Sequence, residues 1–235
     1  MFEFSNDYQT GQSFSVDISR DIRKLWKDEA IPALYASVED VLIPHSTKLF
    51  FNELSRVLDE TFIPTNQDIL HLRCPTATVS DIKFVIEEKT FHFYDVSGLK
   101  PHRKQWIHYF SDVTAILFVV AISSYDQVMF EDSNTNRMHD AVELFEQVIN
   151  NPLLEKPETL IFFNKRDIFE KKIATVPLKN YFSEYVGKPG NPTQGYEFIK
   201  KLFTSKPKVK RPIFTHLTCC TDTKMMSKII EAMMY

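Results

Sequence analysis

The stretch Thr90–Trp106, TFHFYDVSGLKPHRKQW, constrains the fold more than any other part of the chain. Phe91 and Phe93 alternate with His92 and Tyr94 and run into Val96, a period of two that marks a strand. The strand must stop at Ser97-Gly98, where glycine lets the backbone pass close to a ligand without a Cβ in the way. A basic helix is expected next, with Lys100, Arg103 and Lys104 just before Trp106. In open parallel sheets, ligands sit beyond the carboxyl ends of strands, which points to Asp95, Val96, Ser97, Gly98 and Leu99. Taken alone, this is an ordinary strand-turn-helix; the rest of the chain gives it meaning.

Upstream, Ile18, Ile22, Leu25 and Trp26 recur at helical spacing, with Asp17 or Ser19 as cap. A further helix is expected over Ser46–Glu60, with Leu49, Phe50, Leu54, Val57 and Leu58 on one face. Ile82, Phe84 and Ile86 alternate into a strand with one wetter face, and Glu88-Lys89 turns it into the Phe91 strand as a hairpin. Ala115–Ile122, AILFVVAI, is apolar without a break, which suits a strand buried on both faces. A helix over Asn136–Asn150, a buried strand Thr159–Phe163, a helix Tyr196–Phe203, a strand Ile213–Thr218 and a helix Met225–Met233 come next. The expected architecture is therefore an all-helical part over residues 1–66, then an α/β part over residues 67–235 with a mostly parallel sheet.

Composition narrows the function. A net charge of −3 over 235 residues argues against a general nucleic-acid binder. Three cysteines, Cys74, Cys219 and Cys220, make no disulfide framework and fit a reducing, cytoplasmic compartment. The longest apolar run is far short of a membrane span. Five glycines are few for a chain that would cradle phosphates. The seven histidines show no metal spacing, the phenylalanines read as packing, and Lys206–Arg211 reads as a solvated basic loop.

Three strand ends point polar groups to one edge: Asp95 with Gly98, the tetrapeptide Asn164-Lys165-Arg166-Asp167, and Thr218-Cys219-Cys220-Thr221. A guanine ring offers two N–H donors on one edge, and one carboxylate, Asp167, can accept both. Adenine has no such pair, so the wrong base leaves a carboxylate unpaired. Asn164 can reach the ring's other edge, the stem of Lys165 can lie on its face, and Cys220 can offer its backbone N–H.

These segments, together with TFIPTNQDILHLRCPT, FYDVSGLKPHRKQWIHYFSDVTAILFVVAISSYDQV, NRMHDAVELFEQVINNP and LIFFNKRDIFEKKI, resemble the alpha subunits of heterotrimeric G proteins, in family order across nearly the whole chain. The resemblance implies a Ras-like GTPase sheet preceded by part of a helical lid domain. It implies GTP or GDP as ligand, lined by Leu70, His71, Leu72, Arg73, Cys74, Pro75 and Thr76, besides the residues above. Arg73 falls on the arginine that stabilises phosphoryl-transfer charge in cis, a role this family illustrates in general accounts of the reaction. Thr76 falls on a magnesium ligand and Asp95 on a residue that holds Mg2+ through water. Lys100, Arg103, Lys104 and Trp106 fall on the second switch, which meets the beta-gamma dimer or an effector. Arg103 is expected to pair with Asp140. A G-protein-coupled receptor is the implied upstream partner, and the inner face of the plasma membrane the implied location, reached through partners, with no lipidation site in this chain.

The departures matter as much. No G-x-x-x-x-G-K-[ST] phosphate loop occurs. The family's Asp-Val-Gly-Gly-Gln is here Asp95-Val96-Ser97-Gly98-Leu99, and Leu99 cannot orient an attacking water. Ala77-Thr78 stands where Thr-Gly is usual. The family's first strand, absent here, lies between Phe91–Val96 and Ala115–Ile122, so these two are expected to pair directly. Three readings stay open: a GTP-binding transducer with impaired hydrolysis, a non-catalytic interaction protein, and a fragment of a longer alpha subunit.

Overall fold

The computed structural model describes residues 16–31, 34, 46–72, 76, 79–86, 88–98, 100–129 and 132–233. They fall in two compact units, Met1–Arg73 and Cys74–Tyr235.

The described residues of the first unit carry only helices: α1 (Val16–Lys27), α2 (Ser46–Asn52), α3 (Leu54–Val57) and α4 (Asn66–His71). The single helix expected over Ser46–Glu60 is broken, because Glu53 leaves helical geometry at φ −100°, ψ 18°. Beside the break, the Asn52 side chain accepts from Trp26 Nε1 at 3.0 Å, and Trp26 lies edge-on to Phe51, ring centroids 4.9 Å apart. α4 opens on a capping box, Thr65 and Asp68 each satisfying the other's backbone N–H. The Asp68 carboxylate, 4% exposed, also receives a two-pronged Arg56 at 2.9 and 2.7 Å. Arg56 first, then Thr65, hold the Asp68 carboxyl well below the usual carboxylate range.

The second unit contains two sheets. β1 (Ser80–Ile86) and β2 (Lys89–Asp95) form an antiparallel hairpin. Its turn places Glu88 at φ 65°, the positive φ that tight hairpin connections demand. β3 (Ala115–Ala121), β4 (Glu158–Asn164) and β5 (Ile213–Leu217) form a parallel sheet with β4 in the middle. Between β2 and β3 the chain forms a long 3-10 segment, Lys100–Asp112, where an α-helix is expected from the sequence. Stretches of this kind rarely exceed three or four residues. Here its side chains anchor the turn after β2.

α5 (Arg137–Ile149) starts where Asn136 accepts from the Met138 and His139 amides. α6 is Arg166–Lys172. α7 (Pro192–Thr204) starts four residues before the expected Tyr196, because Asn191 caps it and Pro192 occupies its first turn. α8 is Thr223–Met233. Phe118, Val120, Ile161 and Phe163 of the parallel sheet pack with Phe145 of α5, Phe169 of α6 and Phe203 of α7. Phe203 lies 5.5 Å from Phe163 and 5.6 Å from Phe145 between ring centroids, both edge-on.

Two further expectations are corrected. β2 and β3 do not pair; they belong to separate sheets. β2 is satisfied by β1 on one edge, and the turn beyond Asp95 is held by side chains rather than by a ladder. Second, Ala115–Ile122 is not buried on both faces. Leu117 and Val119 are 39% and 53% exposed, whereas Val120 is 2% exposed. The register sets Leu117 beside Leu160 and Val119 beside Phe162 on one sheet face. Phe162, on the central strand, is flanked on both sides and buried; β3, at the edge, is covered by helices on its other face only.

Candidate functional site

The ends of β4 and β5 bring two of the three predicted segments together. Asn164 is the last residue of β4, and its Oδ1 accepts the backbone N–H of Cys220 at 2.9 Å and the Thr218 hydroxyl at 3.4 Å. The sequence pattern assigns that N–H to a base; in this structure Asn164 holds it. Main-chain bonds reinforce the tie: the Thr218 N–H donates to Phe163 O at 2.9 Å and the Arg166 N–H to Thr218 O at 3.1 Å. Thr218 is fully buried between the two loops.

Lys165 follows at φ 65°, ψ 40°, a left-handed conformation that a non-glycine residue adopts at a cost of about 1–3 kcal/mol. That bend starts α6 immediately, so Arg166 and Asp167 fall in its first turn. Arg166 is turned to Glu170 at 2.7 Å, which leaves the exposed Asp167 as the acidic group beside Asn164 and Lys165. Asn164, Lys165, Arg166 and Asp167 thus run from the end of β4 into the first turn of α6. Cys220 is half-buried, and burial pushes its thiol up, opposed in part by the Thr218 hydroxyl. The Cys219 N–H donates to Met225 Sδ at 3.3 Å, tying the same loop to α8. Sequence reasoning missed Met225, since no local pattern marks a thioether as an acceptor.

The third segment stands at the end of the hairpin. The Thr76 hydroxyl donates to Asp95 Oδ2 at 3.3 Å, so the two predicted magnesium residues meet. Both are hard oxygen donors, as that ion requires, and two protein ligands suit magnesium only when phosphate and water supply the rest. No cluster of three or more His, Cys, Asp or Glu fit to hold a metal occurs among the described residues. Beyond Asp95, Val96 is half-buried and Ser97 is buried. Trp106 Nε1 donates to Ser97 O at 3.0 Å and Arg103 Nε to Gly98 O at 3.0 Å. The expected Arg103–Asp140 pair is present, two-pronged at 2.6 and 3.3 Å, with Asp140 in the first turn of α5. Lys100 comes within 3.6 Å of the same carboxylate and 3.9 Å of Asp132, while Lys104 is exposed.

Leu70, His71 and Leu72 belong to the first unit, at the end of α4, where Leu70 and Leu72 are exposed and His71 Nδ1 lies 2.8 Å from Gln67 O. Arg73, Cys74, Pro75 and Leu99 lie outside the described residues. No described helix is long and apolar enough to cross a membrane.

The family model for the G-protein alpha subunit matches residues 1–235. The chain is 36% identical over 235 residues to the guanine nucleotide-binding protein alpha-1 subunit of Caenorhabditis elegans, covering 99% of this chain and 66% of that protein. It is 36% identical over 231 residues to the guanine nucleotide-binding protein subunit alpha of Candida albicans (strain WO-1), covering 98% and 54%. It is 34% identical over 217 residues to the guanine nucleotide-binding protein alpha-1 subunit of Saccharomyces cerevisiae, covering 92% and 46%. The chain thus spans about half to two thirds of the length of these relatives.

Proposed function

Because the chain belongs to the G-protein alpha subunit family, we propose that it is a guanine-nucleotide-binding signal transducer whose base recognition is intact and whose GTP hydrolysis is impaired. The observation that supports this reading is the Asn164 bridge to Cys220 and Thr218, which ties the loop after β5 to the end of β4, where Lys165 and Asp167 follow in sequence. Asp167 accepts the two N–H groups of guanine, and Lys165 lies along the ring. The 235 residues contain no phosphate loop, whose backbone N–H groups and lysine supply much of the affinity in such sites, so binding is weak. Titration calorimetry with GDP, GTP and ADP tests this. Weak GDP binding with no ADP binding is expected; nanomolar GDP binding, or equal binding of ADP, would sink the reading.

Thr76, and Asp95 through water, would hold Mg2+, which when bound offsets phosphate charge. Arg73 would act on charge developing at the transferred phosphoryl group, but these 235 residues include no phosphate loop to present that group to it, and Leu99 cannot orient water. Residues that work as a unit lose their effects together. Leu99→Gln alone therefore does not restore turnover, and phosphate release by either protein in a single-turnover assay would contradict this.

A second reading, a non-catalytic interaction protein, is favoured by the Arg103–Asp140 pair. It fixes Arg103 to the first turn of α5, and Lys100 comes within 3.6 Å of the same carboxylate. On this reading, capture of a beta-gamma dimer or effector is insensitive to a GTP analogue, and a nucleotide-dependent change would favour the transducer. A G-protein-coupled receptor and the inner face of the plasma membrane are the partner and place that family membership suggests for the first reading.

A further inference from the structure

Ser97 stands where the family pattern has glycine, and it is 5% exposed. Its hydroxyl lies 3.1 Å from His102 Nδ1, across one turn of the 3-10 segment. Around it, the same segment reaches back twice more, through Trp106 to Ser97 O and Arg103 to Gly98 O. Arg103 is itself fixed to Asp140 of α5. The hydroxyl is the one link in this set that a glycine could not make.

We infer that Ser97 and His102 form an intramolecular latch that keeps Ser97 and Gly98, just beyond β2, tied to the 3-10 segment. Three side chains, those of His102, Arg103 and Trp106, bind two consecutive residues, so the turn can open only if several bonds break together. A hydroxyl both donates and accepts, so the Ser97–His102 bond can form with either imidazole tautomer and survives protonation of the ring. Local opening of such segments limits proteolysis when opening is fast relative to cleavage. The bonds after Arg103 and Lys104 are therefore protected from trypsin, although the Lys104 side chain is exposed.

The test is trypsin cleavage after Arg103 and Lys104, read by mass spectrometry on the full chain without nucleotide. Its outcome therefore does not depend on whether the base site binds guanine. Ser97→Ala and His102→Ala are expected to raise the cleavage rate by about 2- to 10-fold, the value of one net hydrogen bond. His102→Gln, which keeps a donor and an acceptor, is expected to restore protection. Wild-type rates in both alanine variants, or no rescue by glutamine, would overturn the latch. Hydrogen exchange on the unmodified chain gives an answer that no variant can spoil. Amides of residues 102–104 should exchange well below the free-chain rate, and free-chain exchange there would also overturn it.

Discussion

The hairpin β1–β2 and the parallel sheet β3–β4–β5 are both built from short apolar-rich strands, yet they end differently. On β4, Ile161 and Phe163 are fully buried, while on the hairpin Ile82 and Val85 are 56% and 66% exposed. One wetter face is expected for β1 from its sequence; the structure leaves both faces open. Two strands cannot bury much surface by themselves, and the hairpin's aromatic rings stack on one another instead, Phe84 with Phe91 and Phe93 at 5.6 and 5.2 Å. The proposed base site thus grows from the packed half of the unit, and the proposed phosphate-side residues Thr76 and Asp95 from the thin half.

The sharpest test of this contrast is truncation on each side. Phe163→Ala removes a ring packed against Tyr196 and Phe203 and should cost about 3–5 kcal/mol in urea unfolding. Phe93→Ala, at a position 43% exposed, should cost less than about 1 kcal/mol. Equal costs would dissolve the distinction between the halves.

A smaller effect separates holding the site from using it. Asn164→Ala leaves the Cys220 N–H without its acceptor and should destabilise by about 1–3 kcal/mol, with faster exchange over residues 217–222. Asp167→Ala should leave stability within about 0.5 kcal/mol while abolishing the preference for GDP over ADP. If Asp167→Ala lowers stability and keeps the preference, the division of labour is wrong.

Val119→Lys probes the uncovered outer face of β3. The change should fall within about 0.5 kcal/mol in thermal unfolding, as for an exposed site. A loss of several kcal/mol would mean that the face is covered in solution.

The smallest effect belongs to the first unit. The Asp68 carboxyl is held below its ordinary value of about 3.9 by Arg56 and Thr65. A depressed carboxyl contributes stability that is present above the unfolded value and lost as pH falls towards the folded one. Stability should therefore decline below about pH 4, and Asp68→Asn should flatten that decline in a pH series of unfolding curves. An unchanged slope would show that the pair does not contribute.

Much of this protein is legible in its residues one segment at a time. Strand and helix order, the helix over Asn136–Asn150, the Asn164-Lys165-Arg166-Asp167 turn and the likeness to alpha subunits all come from local patterns. Periodicity, capping and turn chemistry act within a few residues, so the sequence alone determines them. The Arg103–Asp140 pair was also foreseeable, but through resemblance and not through spacing. Only the tertiary structure decided that β2 and β3 stay apart and that Leu117 and Val119 face outward. The same holds for Asn164 taking the Cys220 N–H, for Met225 accepting from Cys219, and for His102 meeting Ser97. Each depends on which distant surface covers a face or which of several acceptors lies nearest. An apolar run records how hydrophobic a strand is, not whether anything packs on it, and a polar residue records what it can bond, not what it meets.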